Sequence, residues 1–383
     1  MTKLIASKKY KYIYTYRNTK NEEKWKIRWT YYDIYGKRKE LSREGLSSEN
    51  EAYKLLLEAQ SMVQQGQSKM IDYDNMKVST WMQLWYESHS EWSESTKRQR
   101  EMAIRLQINP LIGDYKLSKL DKITYKQVFI NKLLEDYKPS TVRLLHSLFK
   151  IAVNEAVEDE IISRNRFGRI KIPKPNKKVK HLTAAELSTF ISTAKRVENL
   201  TNYVCVLVLA YSGIRRGELL GLQWENIDLI NNQITINSTR DNKGNRKPKT
   251  DNSYRTVLMD SQIMDELKKY KLWCQKKHLS FGLKFKESNF VFISDQKGTP
   301  IADNTMMYSF RRIVKHCDLD NVHPHMMRHT HATLLLESNN RPSINSVAER
   351  LGCTPEMIMN VYAHVLESMH QELVSAFSSS IAL

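Results

Sequence analysis

Four short stretches of the chain hold residues whose types can act on a phosphodiester. YSGIRRGELLGLQW (211–224) sets Arg215 three residues ahead of Glu218, with Arg216 between them, and HPHMMRHTHATLLL (323–336) sets His325 three residues before Arg328. KPKTDNSYRTVLM (247–259) offers Lys247 and Lys249, and LGCTPEMIMNVYAHV (351–365) carries Cys353 and, nine residues on, Tyr362. Guanidiniums are planar, permanently charged, bidentate donors, so two of them can neutralise the charge that builds on the non-bridging oxygens of a phosphate under attack. On a helix, His325 and Arg328 share a face and can meet the same phosphate. A tyrosine phenol, with a pKa of about 10, is a poor nucleophile near neutrality unless cations or a base assist it. An ammonium in a hairpin can protonate a departing oxygen. Taken singly these signals are weak, because an HxxR pair is usually a helix-surface feature and most of the nineteen tyrosines must be structural.

The elements that would position these residues fall into a multidomain, mainly α organisation with small β-sheets. Residues 1–70 read as a three-stranded sheet backed by one helix. Tyr10, Tyr12, Tyr14 and Tyr16 alternate with other residues, KWKIRWTYYDIYGKRKEL follows with turn chemistry at Asp33–Gly36, and Ser47 or Ser48 can cap an amphipathic helix. Lys24, Lys26, Arg28, Lys37, Arg38 and Lys39 interleave with the aromatics, so one face can offer cations and flat rings to a groove of DNA; a merely solvated basic sheet is the alternative. The polar stretch 64–77 reads as a linker. Residues 78–167 carry helical periodicity in about four segments, with Lys97 and Arg98 among the basic positions that can face DNA. Prolines and lysines mark 168–182 as a second, basic linker. The last domain, 183–383, reads as mixed α+β: NYVCVLVLAY is apolar all round, as a buried helix is, and a hairpin turns at Asn242-Lys243-Gly244.

Composition sets the partner class. Sixty Lys and Arg against 42 Asp and Glu leave a formal charge of +18, which suits a polyanion. No apolar run is long enough to span a bilayer and no signal peptide is visible, so a cytoplasmic location is expected. The four cysteines lie far apart with no CxxC pairing, and GxxxxGK[ST] and HExxH patterns are missing, so neither a metal nor a nucleotide cofactor is expected.

In their order and spacing, the arginine segment, the His-x-x-Arg segment and the tyrosine segment resemble the three motifs of tyrosine recombinases, the phage-integrase family. KPKTDNSYRTVLM resembles the family's lysine-bearing hairpin, STVRLLHSLFKIAVNEAVEDEIISRN resembles its core-binding domain, and the N-terminal sheet is similar to the arm-binding domain of mobile-element integrases. The resemblance implies catalytic roles for Arg215, Lys249, His325, Arg328 and Tyr362. In that scheme Tyr362 attacks to form a 3′-phosphotyrosine and Lys249, with Lys247 its close rival, protonates the 5′-oxygen. Glu218 would orient an arginine or the histidine, Arg216 would sit at the surface, and Tyr211 would pack in the core. It further implies double-stranded DNA with core and arm sites as the partner, a homotetramer on DNA, clamping by the last two domains, and an accessory excision factor.

One position departs from the family pattern. Where His or Trp usually donates a hydrogen bond to the scissile phosphate, this chain has Cys353, whose thiol is a short and weak donor. The function expected is site-specific integration or excision of a mobile element; the alternatives are a chromosome-dimer resolvase and a catalytically weakened DNA-binding regulator. Beyond the nucleophile, Leu366, Met369, Leu373, Val374 and Phe377 form a helical stripe expected to dock on a neighbouring protomer.

Overall fold

The computed structural model describes residues 4–173, 180–248, 251–338 and 342–362. The chain divides into two compact units, residues 1–176 and 177–383. In the first, strands β1 (Ile5–Ala6), β2 (Ile13–Arg17), β3 (Glu23–Tyr32) and β4 (Arg38–Leu46) form an antiparallel sheet in sequence order. The expected three strands gain a fourth, because the two residues of β1 pair with Tyr14 and Thr15, a contact too short to leave a period-two signature. The tyrosine run is not one strand. Tyr12 takes φ 69°, its carbonyl accepts from Arg28, and Tyr10 instead stacks on Tyr53 with ring centroids 3.8 Å apart.

Helix α1 (Glu49–Gln64) is capped by the Ser48 side chain, and it buries Ala52, Leu56 and Ala59 against Ile13, Ile27, Tyr31 and Leu41 of the sheet. The stretch 64–77, expected as a linker, is folded. It contains α2 (Ser68–Asp72), whose Ser68 is buried and accepts from the backbone of Ile34, while Asp72 accepts from the Tyr31 hydroxyl at 2.6 Å. Polar residues misled the sequence reading because here they serve as hydrogen-bond partners rather than as solvated chain.

Four helical stretches follow: α3 (Val78–Ser88); α4 (Glu94–Ala103), running through a π-turn into α5 (Asn109–Ile112); α6 (Lys122–Tyr125), likewise into α7 (Lys132–Asp136); and α8 (Pro139–Glu158). They close on Trp81, Trp85, Tyr125, Phe129, Phe149 and Phe167, and the Trp81 indole donates to the Ala152 carbonyl at 2.9 Å.

The second unit is built around α10 (Leu200–Ser212), preceded by α9 (Ala184–Val197) with its Thr183–Glu186 capping box. As expected, α10 is buried on nearly every side, packing on Phe190, Met264, Tyr270, Phe310 and Met327. Then come α11 (Arg216–Gly221), β5 (Ile227–Asp228), β6 (Gln233–Ile236), β7 (Thr239–Asp241), β8 (Gly244–Arg246) and β9 (Arg255–Leu258). The single hairpin expected here is two ladders: β7 pairs with β8 across the Asn242–Gly244 turn, and β6 pairs with β9 in a sheet completed by β5. The chain continues through α12 (Ser261–Ser280), α13 (Asp303–Val314), α14 (Pro324–Leu336), α15 (Ile344–Leu351) and α16 (Pro355–Val361). Alanine and leucine positions of α14 and α15 join Cys353, Ile358 and Tyr362 in a small core of their own. The tail stripe at 366–377 and Lys249 lie outside the described residues.

Within the first unit, Asp74 ties the sheet to the bundle: it pairs with Arg43 of β4 and accepts from Ser118 Oγ at 3.1 Å. Burial alone would raise this carboxyl, but the Arg43 and Lys119 charges and the Ser118 hydrogen bond hold it below its ordinary value. Asp74→Ala is therefore expected to lower the stability of this unit by about 1.5–3 kcal/mol in denaturant melts near pH 7. Because the folded-state value is depressed, the contribution is present at neutrality and is lost progressively as the pH falls from roughly 3.9 through the lowered folded-state value, so wild type and variant should converge in strong acid. Equal stability at neutral pH would remove Asp74 from this role.

Candidate active site

Two turns bring the chemistry-bearing residues together. Gly213 ends α10 in the left-handed conformation, φ 66°, and a Cβ there would lie 2.7 Å from Leu351 and 2.8 Å from the His331 ring, so only glycine lets α10, α14 and α15 approach this closely. Two residues later Arg215 stands at the N-terminus of α11. Gly352 ends α15 in the same way, φ 66°, where a Cβ would meet the Arg255 guanidinium at 2.6 Å.

Around these turns, carbonyl oxygens and one carboxylate hold the guanidiniums. Arg328, buried on α14, donates to the carbonyls of Gly213 at 3.1 Å and Leu351 at 2.6 Å. Arg215 donates to Gly352 O at 3.0 Å and to Glu218 Oε1 at 2.7 Å. Arg255 of β9 donates to Glu218 Oε2 at 2.9 Å and to Arg350 O at 2.8 Å. Burial would raise the Glu218 carboxyl, but the Arg255 and Arg215 charges and the Arg215 backbone N–H bring it below its ordinary value, so it stays ionised at neutral pH. Burial, with repulsion from Arg215, lowers Arg328 to about 10, which still leaves it a cation at neutral pH.

His325 opens toward solvent at the mouth of a pocket of about 400 Å³ lined by Arg215, Arg216, Met307 and His323. Partial burial and the charges of Arg328, His323 and Arg215 hold its imidazole below the ordinary value, so it is neutral at pH 7. The Tyr362 ring is 3% exposed. Burial raises its phenol to about 12, partly offset by Arg328, and its hydroxyl lies 2.8 Å from Nδ1 of His329. Cys353 is buried beside Tyr362 in the same small core and borders a second pocket of about 760 Å³ that also reaches Arg255 and Gly352. Among the described residues, no cluster of three or more His, Cys, Asp or Glu side chains is arranged to hold a metal.

The structure thus gathers Arg215, Glu218, Arg328, Cys353 and Tyr362 around the Gly352 turn, with His325 at the rim. Glu218 engages two arginines and no histidine. Arg216 turns to Asp303 at 2.9 Å. Tyr211 departs from expectation: it is 42% exposed, since it lies in the last turn of α10 at the surface, and its carbonyl accepts from Arg350. Sequence reading also passed over Arg255, Arg350 and the pair His329 and His331. Arg350 donates to His331 Nε2 at 3.0 Å while His331 Nδ1 donates to Ala210 O at 2.9 Å, fixing a neutral tautomer that burial holds down to about 4. The signal available was the histidine-rich run after Arg328, which the HxxR pair overshadowed.

Of the basic residues in the first unit, Lys24, Lys26 and Arg28 share with Tyr14 and Tyr16 the sheet face opposite α1. Carboxylates sit among them: Lys24 lies 3.6 Å from Glu22, Lys26 pairs with Glu44, and Arg28 lies 3.0 Å from Glu40. Lys37 and Arg38 are exposed at the β3–β4 turn, whereas Lys39 turns toward Asp72 at 3.7 Å. On α4, Arg98 is exposed and Lys97 half-buried.

Residues 180–369 match the profile of the phage integrase family, and residues 77–134 match that of the phage integrase N-terminal SAM-like domain. The ICEBs1 integrase of Bacillus subtilis (strain 168) is 28% identical over 277 residues, 70% of this chain and 74% of that protein. The integrase of Staphylococcus phage L54a is 28% identical over 284 residues, 67% of this chain and 79% of that protein. Among solved structures, the Tn1549 transposon integrase in complex with transposon right end DNA superposes with a TM-score of 0.67 at 19% identity, covering 78% of this chain and 100% of that one. A lambda integrase dimer bound to a COC′ core site gives 0.58 at 16% identity over 94% of this chain and 93% of that one, so the fold is shared. The two profiles together cover more than half of the residues, and with that fold they establish that the chain belongs to the phage integrase family of tyrosine recombinases, enzymes of site-specific DNA cleavage and rejoining.

Proposed function

We propose that this recombinase integrates or excises a mobile element by cutting DNA strands with Tyr362, passing through a 3′-phosphotyrosine. The observation that carries this reading is the convergence on the Gly352 turn of Arg328 and Tyr362 with Arg215, which lies more than a hundred residues before them in sequence. Arg215 and Arg328 bind the non-bridging oxygens of the scissile phosphate and stabilise the charge that grows there. His325, at the rim of the same pocket, binds the phosphate from the open side. Attack by Tyr362 expels the 5′-oxygen, which Lys249 protonates as it departs, leaving a 5′-hydroxyl. The new ester keeps the energy of the broken bond, so rejoining is the same step in reverse.

Duplex DNA is the partner, with the catalytic and helical domains on the core site and the aromatic, basic sheet face on an arm site. The division we infer is 1–70, 78–167 and 183–383, with 168–182 as the basic joining segment and with α2 (Ser68–Asp72) running across the first limit. Integrase relatives from a phage and from ICEBs1 support the mobile-element role, and a lambda integrase tetramer bound to a Holliday junction supports a tetramer as the working assembly. An accessory excision factor and docking of the tail beyond Tyr362 on a neighbour complete the scheme.

Two outcomes test it. Tyr362→Phe deletes one oxygen and no cation, so covalent adducts on a nicked duplex should disappear while DNA affinity stays within about twofold of wild type, that is, within about 0.4 kcal/mol. An adduct formed by the variant would defeat the assignment. Cys353→His restores a strong donor beside a pocket with room for an imidazole, and it should raise the adduct rate by up to about 100-fold; an unchanged or slower rate would mean that the thiol position makes no contact with the phosphate.

A further inference from the structure

The hydrogen-bond partner of the Tyr362 hydroxyl among the described residues is Nδ1 of His329, at 2.8 Å, with the two rings edge to face at 5.9 Å. His329 follows Arg328 on α14 and meets the His325 ring edge-on at 4.6 Å. A phenol has one proton to donate, and a neutral imidazole protonated on Nε2 accepts it at Nδ1. We propose that His329 takes the Tyr362 proton during strand cleavage and returns it during rejoining, leaving His325 to bind the phosphate. This rests on the reading of Tyr362 as nucleophile.

In the forward step, the Tyr362 oxygen bonds to phosphorus as its proton passes to His329 Nδ1. The bond from phosphorus to the 5′-oxygen breaks, and that oxygen takes a proton from a separate donor, the role given above to Lys249. In rejoining, the 5′-hydroxyl attacks, its proton returns to that donor, and His329 gives its proton to the departing phenolate.

The energetics fit a concerted transfer. The charged and titratable groups facing His329 are His325, Arg328 and His323 from α14 and its cap, His181 ahead of α9, and Tyr362 after α16. Burial first, then those positive or ionisable neighbours, holds the imidazole down to about 4, so it is neutral and able to accept. A base of that strength cannot ionise a phenol held at about 12 beforehand. Once the oxygen begins to bond to phosphorus its proton becomes far more acidic, and the imidazole then lies between the two extremes, the condition for general base catalysis in the transition state. An anionic phosphate nearby offsets the positive neighbours that hold the imidazole down.

The test uses the full-length protein and a nicked duplex built on the core sequence it selects from a random pool. His329→Phe should form adducts about 100-fold more slowly at pH 7, with the deficit narrowing in alkali as hydroxide replaces the lost base. His329→Gln, which keeps a hydrogen-bond acceptor but cannot carry the proton, should be similarly slow and serves if the Phe variant misfolds. A substrate with sulfur in place of the bridging 5′-oxygen, a better leaving group that needs no acid, should rescue neither variant. Wild-type rate and pH profile in the variants, or full rescue by sulfur, would overturn the proposal. Adducts formed by Tyr362→Phe would instead indict the nucleophile assignment beneath it.

Discussion

The active site depends on one buried carboxylate. Glu218, 3% exposed, receives the guanidiniums of Arg215 and Arg255 on its two oxygens, and without it three arginines would crowd the Gly352 turn with no counter-charge among them. Carbonyl oxygens of Gly213, Ser253, Arg350, Leu351 and Gly352 supply further acceptors, and most of them stand at helix ends, where carbonyls are spare. Removing one partner of a buried pair of this kind costs about 3–5 kcal/mol, so the carboxylate and the arginines hold each other in place. Arg255 belongs to β9, and its bond to Glu218 fixes the strand that follows the lysine-bearing segment to the arginine cluster.

That concentration of positive charge also bears on the other groups. Burial first, and then charged and ionisable neighbours that include Arg328, lower the imidazoles of His325 and His329, while the Arg328 charge works against the burial that raises Tyr362. Near neutrality the Tyr362 phenol and the imidazoles of His325 and His329 are therefore uncharged beside the guanidinium of Arg328. A phosphate anion brought among these groups would change the balance for each of them.

The motif residues were legible because each is a chemically demanding side chain at a fixed offset: Arg215 to Glu218, His325 to Arg328, Cys353 to Tyr362. What bonds to them was not, since Arg255 reaches Glu218 across 37 residues and His329 reaches Tyr362 across 33. Such pairings depend on the close packing that Gly213 and Gly352 allow, and no periodicity encodes it. In the same way α10 announced itself by unbroken apolarity, whereas Tyr211 at its end was expected in the core and emerges at the surface. Polar segments were the hardest to read. Asp72 and Asp74 look like linker residues until Tyr31 and Arg43 are seen to use them.

The central claim, that one tyrosine brought to this arginine cluster does the chemistry, is tested most directly by mapping the covalent adduct on the wild-type protein. After trapping on a nicked duplex and digestion with protease and nuclease, mass spectrometry should find a single nucleotide-bearing peptide, with Tyr362 joined to a 3′-phosphate. A nucleotide on any other of the nineteen tyrosines, or a link to a 5′-phosphate, would contradict it.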